Sequence, residues 1–529
     1  MDLAELIQAL SRPEAYPFFT PDIKVLHTHI SIVFLAGPYA YKVKKPVNLG
    51  FLDFSTLEKR HYFCVQEVSL NRRLAPTVYL AVVPIARTPS GIRIEAKGEI
   101  VEWAVKMERL PEEATLQNRL RNGEVKPDLV AELARRVARF HAQAAHSDHI
   151  SSFGRLDIVT QNIRENFDQS APLIGVTISR PVFDRLRELS DQSLLALGPL
   201  IGERAQSGVP RDTHGDLHLD HVYVFPDRPS PADLVIIDCI EFNERFRFAD
   251  PIADMAFLYM DLRFHGRRDL AVHFADNYVL ASGDEEGRRL LSFYAAYRAA
   301  VRGKVEGFEL MEEEVPAAER ESLLGRARAH WLLALGELEP PGRRPCLVLI
   351  GGLPGAGKST LARRLSEQAN FTLIRSDLVR KELAGTAAGR IVIGNWNEGI
   401  YTPAWTQRTY AECLDRAEKL LFQGQRVLVD ATFREESKRR RFLELADRLA
   451  VPAAFIFCQA DPEVVRARLK RRIGDASDAD WAVYQQAVSQ WQQVSPKTRS
   501  ALRILSTDGT QEETIFHGIQ ILRDLSLIE

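Results

Sequence analysis

A chain of 529 residues holds about three compact units at the usual ~100–200 residues per domain. With 45% hydrophobic and 26% charged residues it has the composition of a folded protein with a large core, which excludes a disordered, collagen-like or coiled-coil chain. Its 69 basic and 71 acidic residues leave a net charge of −2, so there is no basic excess with which to coat a polyanion, and only a local basic site stays open.

The sequence opens MDLAELIQALSRPEAYPF, with acids where a secretory leader carries bases, and no apolar run approaches the ~20 residues that span a bilayer. Cys64, Cys239, Cys346, Cys413 and Cys458 are odd in number, far apart and free of any C-x-x-C pair, which argues against a disulfide framework or a zinc site and for reduced thiols. A cytoplasmic protein without membrane association is expected. Residues 1–110 read as short strands, Ser31–Ala36 and Tyr39–Lys44 around Gly37–Pro38, then Val78–Ile85, Ile92–Ala96 and Glu102–Met107, with one helix over Leu57–Leu74.

Residues 111–335 read as mostly helical, apart from a strand–loop–strand island over His214–Phe225 and Asp233–Asp238. A strand-rich lobe followed by a helical lobe is a bilobal layout with a cleft between. The island holds His214-Gly215-Asp216-Leu217-His218-Leu219-Asp220-His221, three histidines and two aspartates in eight residues. A zinc site wants a further ligand at defined spacing, and none stands nearby in sequence to complete one. Phosphoryl transfer accounts for more of the pattern: Asp216 on a loop would orient an acceptor hydroxyl, and Asp238, ending the apolar run Leu234–Ile237, would hold Mg²⁺ against a nucleotide. Glu241 is a second acid near that metal, and Arg298, Arg302 and Lys304 follow on a late helix as bases for an anionic acceptor or as a solvated face.

Gly336–Pro345, rich in Gly and Pro, is the expected linker over 336–345, and 346–529 alternates strands with helices, the pattern of a parallel α/β sheet. Directly after the apolar run Cys346–Ile350 comes Gly352-Leu353-Pro354-Gly355-Ala356-Gly357-Lys358-Ser359, which fits G-x-x-x-x-G-K-[ST] in the context that motif requires. Gly352, Gly355 and Gly357 let backbone N–H groups turn toward phosphate oxygens. Lys358 reaches the β- and γ-phosphates, Ser359 ligates Mg²⁺, and Thr360 completes the cofactor-binding set. Asp377 and Arg380 stand three apart after Phe371–Ile374, where Asp377 could take the proton of an acceptor hydroxyl and Arg380 hold an anion, or where Asp377 could simply cap a helix. Asp430 ends the apolar run Arg426–Val429 and suits a second Mg²⁺-shell or water-positioning carboxylate. Arg466, Arg468, Lys470, Arg471 and Arg472 precede IGDASDAD; as a closing lid, Arg468 and Arg472 would neutralise charge on the transferring group.

GLPGAGKST, IRSDLVRKEL, VLVDATF and the arginine-rich segment together resemble the small P-loop kinases of the polynucleotide kinase, zeta-toxin and gluconate kinase group over most of 345–529. That resemblance implies transfer of the ATP γ-phosphoryl to a hydroxyl, with Asp377 and Arg380 similar to an acceptor-activating pair.

The segment around HGDLH and the acid at 238 resembles the aminoglycoside phosphotransferase-like kinases, which share the bilobal protein-kinase fold, over about residues 25–330. The resemblance implies Asp216 as catalytic base, Asp238 as metal ligand, Lys42 as the phosphate-binding lysine with Glu67 as its ion-pair partner, Met107–Leu110 as the hinge, and Asp254 as a brace for the catalytic loop. Lys44, on the same strand face as Lys42, is the competing lysine. One position departs from the family: His221 stands five residues after Asp216, where these kinases carry a metal-binding Asn. Imidazole is a poor ligand for hard Mg²⁺. Either Asp220 takes over, or a softer ion such as Mn²⁺ is used at the N-terminal site, or this module is weak.

The fold expected is thus an α/β and α+β multidomain chain: a bilobal protein-kinase-like fold, with an N-lobe over 1–110 and a helical C-lobe over 111–335, followed by a P-loop parallel α/β kinase domain over 346–529. The leading functional reading is two ATP- and Mg²⁺-dependent kinase modules acting on small-molecule hydroxyls of a sugar, polyol, aminoglycoside-like compound or nucleoside. The alternatives are a single P-loop kinase regulated by an N-terminal pseudokinase, and a nucleic-acid 5′-hydroxyl end kinase or toxin-like factor, which the near-neutral charge argues against. A homodimer is the default oligomer.

Overall fold

Four of the six residues in each of Ser31–Ala36 and Tyr39–Lys44 are buried and the remaining two are half-buried, so both faces of these strands find cover and a sheet forms. In the computed structural model, which describes residues 2–312, 315–385, 399–470 and 481–529, the chain divides into two compact units. One comprises Met1–Asn162, Ala196–Leu262 and Arg267–Tyr294; the other comprises Ile163–Leu195, Arg263–Gly266 and Ala295–Glu529.

The first unit contains a six-stranded antiparallel sheet. Its strands are β1 (Ile23–His27), β2 (Ser31–Ala36), β3 (Tyr39–Lys44), β4 (Tyr79–Thr88), β5 (Gly91–Ile94) and β6 (Glu99–Glu108), in the order β1-β2-β3-β6-β4-β5. Tyr41 and Val43 of β3 join Phe34, Ile85 and Ala104 in one apolar cluster, closed by Leu6, Leu10 and Tyr16 from the N-terminal segment. Ala40 of the same strand joins Val105 and Met107 in a second cluster on the opposite face. By the two-residue period, Lys42 and Lys44 share that second face. It is covered by helix α1 (Leu57–Asn71), whose Cys64 and Val68 pack into the cluster and whose first turn is capped by the Thr56 side chain accepting from Lys59 N–H. The helix stops at Asn71, three residues short of the expected Leu74. Strand β1 and the helix Leu3–Leu10 are not expected from the sequence; in β1 only Ile23 and Val25 are even half-buried, and the other three residues are exposed. The island after residue 210 is a single turn of 3₁₀ helix over Leu219–His221 and a short antiparallel pair, β7 (Val222–Val224) with β8 (Leu234–Ile236).

The second unit is built on a five-stranded parallel sheet of β9 (Cys346–Gly352), β10 (Thr372–Arg375), β11 (Arg426–Asp430), β12 (Ala453–Gln459) and β13 (Leu502–Ser506). The order is β10-β11-β9-β12-β13, so β9, buried at every position, lies in the middle with parallel neighbours on both sides. The connection from β9 runs to β10 at one edge and that from β11 crosses to β12 on the other side of β9, so the crevice beyond the C-terminal ends of β9 and β11 is where such sheets bind ligands. The core beneath is apolar, with Val348, Ile350, Leu361, Leu365, Leu428 and Ile456 at its centre. The helix Ala317–Leu338 and the segment Ile163–Leu195 cluster with this unit.

Candidate functional site

In the second unit the turn after β9 is held open by glycines. Gly352, Gly355 and Gly357 have φ of 144°, 77° and 81°. A Cβ on Gly352 would lie 2.5 Å from the Cys458 carbonyl oxygen, and one on Gly355 would lie 2.8 Å from Val465. The loop therefore needs glycine for conformation and for room. Helix α2 (Lys358–Gln368) starts immediately after it, so the loop N–H groups and the helix N-terminus converge on one place, the arrangement that binds phosphate. A cavity of about 270 Å³ opens here, lined among others by Gly357, Lys358, Thr360, Arg468, Thr507 and Gln511. Ser359 lines it too. Lys358 Nζ donates to the Leu353 carbonyl 3.1 Å away, a bond internal to the loop. Arg468 Nη2 donates to the Thr507 carbonyl at 2.6 Å, and Thr507 Oγ1 donates to the Ala356 carbonyl at 3.0 Å, tying the loop after β13 to the glycine loop. Arg468 Nη1 is buried beside Gly357 with no hydrogen-bond partner among the described residues. A donor left in that state is costly unless a ligand oxygen meets it, so the site fits a phosphate chain.

The carboxylates stand at the ends of neighbouring strands. Asp377 is in the first turn of helix α3 (Ser376–Leu383), just after β10, and Asp430 closes β11. Burial, then the negative charge of Asp430, raises the Asp377 pKa above the ordinary carboxylate range, against the pull of Lys358, Arg380 and Arg375. Arg375 Nε lies 3.5 Å from Asp430 Oδ2. Ser359 and Asp430 offer hard oxygen ligands, which suits Mg²⁺. Arg380 is turned elsewhere: its Nη1 donates to the Ile400 carbonyl at 2.7 Å, and its guanidinium lies over the Tyr401 ring. Arg466 lies over Trp481. Arg472, with Arg471 and the SDAD stretch, falls outside the described residues. Thr507 and Gln511 were not singled out from sequence; no motif marks them, because they reach the cavity only through the pairing of β12 with β13.

The second constellation lies within the first unit. Glu67, buried on α1, receives Lys42 Nζ at 2.9 Å on one oxygen and Lys44 Nζ at 2.7 Å on the other. Lys42 also reaches Asp238 Oδ1 at 2.7 Å, while Lys44 pairs with Glu241. The two lysines are therefore not competitors for one role: both hold Glu67, and only Lys42 reaches Asp238. Glu241, read from sequence as an acid near the metal, is instead the partner of Lys44. Burial alone would lower the Lys42 pKa, but Asp238 and Glu67 outweigh it and hold the ammonium well above the ordinary lysine value. Burial would likewise raise Asp238 and Glu67, yet Lys42 with His221, and Lys42 with Lys44, keep the two carboxyls below their usual range. Asp238 sits at φ 62°, its N–H donating to Tyr79 Oη at 3.1 Å, and Cys239 N–H donates to Asn71 Oδ1, so the residues after β8 are pinned to β4 and α1.

The loop carrying Asp216 is fixed from below. Asp254 accepts from His214 N–H at 3.1 Å and Gly215 N–H at 2.8 Å, and its Oδ2 also meets His141 Nε2 at 3.0 Å. Gly215 has φ 86°, and a Cβ there would stand 2.9 Å from the Phe246 carbonyl. Asp216, His218 and His221 then come together, one ligand atom from each lying within 4.8 Å of the others. His218, absent from the residues chosen by sequence, thus stands with Asp216 and His221 in one cluster of candidate ligand atoms. Asp220 is not among the three. Arg302 and Lys304 belong to the other compact unit, where they meet Glu306 and Gln169.

A buried central strand, a glycine loop with phosphate-facing geometry and a helix behind it define a P-loop domain, and residues 347–494 match the family model described as an AAA domain. The chain as a whole belongs to the same protein family as "Uncharacterized protein Rv2004c" of Mycobacterium tuberculosis, with 33% identity over 459 residues, 87% of this chain and 88% of that one. A 147-residue stretch, 26% of the chain, is 30% identical to 56% of UMP-CMP kinase 1 of Oryza sativa subsp. japonica. Among solved structures, a gluconokinase from Sinorhizobium meliloti 1021 aligns with 35% of this chain and 95% of its own, at 17% identity and a TM-score of 0.26. The family match and the glycine loop together make residues 347–494 a P-loop nucleotide-binding domain. Among the described residues no helix is long and apolar enough to cross a membrane.

Proposed function

We propose that the chain is a bifunctional ATP-dependent kinase, each module passing the γ-phosphoryl to a hydroxyl of a small molecule. For the P-loop domain the observation that carries the reading is Asp377, a half-buried carboxylate just after β10 whose pKa is raised by its burial and by Asp430, with Lys358 close enough to oppose the shift. A carboxylate of raised pKa is a better proton acceptor at neutral pH than an ordinary one. The acceptor oxygen attacks the γ-phosphorus, the bond from that phosphorus to the β,γ-bridging oxygen breaks, ADP leaves, and the hydroxyl proton passes to Asp377. Lys358 and the loop N–H groups hold the phosphates, Arg468 caps them, and Arg380 stiffens the wall through Ile400. Mg²⁺, held by Ser359 and Asp430, would supply charge neutralisation for the departing diphosphate.

In the N-terminal half, residues 1–110 and 111–335 form the two lobes of a protein-kinase-like module. Support comes from Lys42, which gathers Glu67 and Asp238 from distant parts of the chain into the ion pairs such a site needs. Asp216 takes the acceptor proton there and Asp238 serves the cation. One observation favours the pseudokinase alternative: Lys42 holds Asp238 Oδ1, so a cation there shares that carboxylate with an ammonium and finds its charge already partly neutralised.

The test is phosphoryl transfer from ATP to a panel of sugars, polyols, aminoglycosides, nucleosides and 5′-hydroxyl oligonucleotides, with wild type, Asp216→Ala and Lys358→Ala in parallel. Two working modules predict that each substitution removes a different transfer. Loss of all transfer in Lys358→Ala, with none in Asp216→Ala, makes the N-terminal half a pseudokinase. Transfer to oligonucleotides alone replaces the small-molecule acceptor.

A further inference from the structure

We propose that Asp216, His218 and His221, with Asp238 beside them, form a binding site for a borderline divalent transition-metal ion, of the Mn²⁺, Co²⁺ or Zn²⁺ kind, that the protein holds before any nucleotide arrives. The site does not depend on phosphoryl transfer at this half of the chain.

The local sequence creates it. A single 3₁₀ turn over Leu219–His221 folds the chain back after His218, so residues 216, 218 and 221 face one another instead of spreading along a strand. The turn is anchored on both sides: Leu219 N–H donates to Asp261 Oδ2 at 2.8 Å, and the His221 carbonyl accepts from Ile237 N–H at 3.0 Å. The His218 and His221 rings lie with centroids 3.9 Å apart, and His218 is buried against Phe257.

The tautomer of His221 follows from its partner. Its Nδ1 stands 2.9 Å from the Asp216 carbonyl, which can only accept, so Nδ1 carries the hydrogen and Nε2 keeps its lone pair. That lone pair lies 3.9 Å from Asp238 Oδ2, the oxygen opposite the one held by Lys42. A backbone carbonyl fixing the far nitrogen of an imidazole is the support that metal-bound histidines ordinarily have. His218 Nε2 lies 3.5 Å from Asp216 Oδ2. A tetrahedral ion with bonds of about 2.0–2.2 Å sets its ligand atoms roughly 3.3–3.6 Å apart, so the His218–Asp216 pair already stands at that spacing and the His221–Asp238 pair reaches it by closing a few tenths of an ångström.

The donor set then selects the ion. Two imidazoles and two carboxylates suit zinc, cobalt or manganese, whereas Mg²⁺ wants oxygen, keeps most of its water and depends on substrate phosphates to be held. An oxygen-donor asparagine at position 221 would suit Mg²⁺. With His221 there, the residues do not fit it.

The experiment uses the full chain, stripped of metal and free of nucleotide, titrated with Co²⁺ and followed by visible absorption and calorimetry. One Co²⁺ per chain is expected, displaced by Zn²⁺ but not by excess Mg²⁺, with affinity lowered at least about tenfold in His218→Asn and in His221→Asn. No binding without nucleotide, displacement by Mg²⁺, or unchanged affinity in both variants overturns the proposal. X-ray absorption of the ion bound to wild type needs no variant to fold: two imidazoles in its shell support the site, and an all-oxygen shell contradicts it. ATP turnover by the Asp216 module in a Lys358→Ala background is a separate readout, so turnover with Mg²⁺ alone and no Co²⁺ binding removes this inference and leaves the kinase reading standing. Co²⁺ binding with no turnover does the reverse.

Discussion

The two candidate sites treat charge in opposite ways. In the P-loop domain Lys358 makes one bond to its own loop, Arg468 keeps a buried donor unmet, and Asp377 is pushed toward its neutral form, so the site waits for a phosphate chain to complete it. In the first unit Lys42, Lys44, Glu67, Asp238 and Glu241 already satisfy one another, so a ligand there meets charges that are paired beforehand. The difference teaches that a backbone cradle can stand ready at little electrostatic cost, whereas a site made from buried side-chain charges must neutralise itself when empty.

The largest effect should separate the two most sharply. Asp377→Asn keeps the shape of the site and removes its proton acceptor, and should lower P-loop transfer by about 10²–10⁴-fold with ATP binding retained, while transfer that depends on Asp216 is unchanged. Steady-state rates on each acceptor decide it. A comparable effect on stability is expected in the other site: Glu67→Ala leaves two buried lysines short of their shared partner and should cost about 3–5 kcal/mol in urea unfolding.

Acid should distinguish the sites in order. The raised Asp377 pKa means that its carboxyl takes up a proton above the ordinary value of about 3.9, so the acid limb of kcat/KM for P-loop transfer lies above that value. Glu67 behaves oppositely. Its folded pKa is lowered, so its contribution to stability is complete above the unfolded value of about 4.3 and is lost only as pH falls through the lower folded value. On acidification, transfer at the P-loop should fail before the Lys42 network does, which a pH–rate profile and a pH series of unfolding curves would show. The smallest effect is expected from Thr507→Val. Loss of its hydroxyl bond to Ala356 removes about 0.5–1.5 kcal/mol, read as a few-fold rise in KM for ATP.

How much could be read in advance follows the same division. Glycine loop, lysine and helix start are consecutive, so Gly352–Ser359 revealed the phosphate cradle without any tertiary information. The strands on either side were legible because β9 and β11 are buried apolar runs. β1 was not, since only part of it is covered. Asp238 was legible as an acid ending an apolar run, but Glu67 and Lys42 were nameable only through a family resemblance, because their meeting depends on how α1 lies across β3. His218 was passed over for a related reason: spacing alone does not show that a single 3₁₀ turn will bring residue 218 back to residue 216. Thr507 and Gln511 had no signal in the sequence, as their place in the cavity comes from the neighbouring strand order.

Whether one chain carries two nucleotide sites is tested most directly by the stoichiometry of a non-hydrolysable ATP analogue bound to the full-length protein. Two equivalents on wild type and one on Lys358→Ala are predicted. One equivalent on wild type and none on Lys358→Ala would contradict a second site.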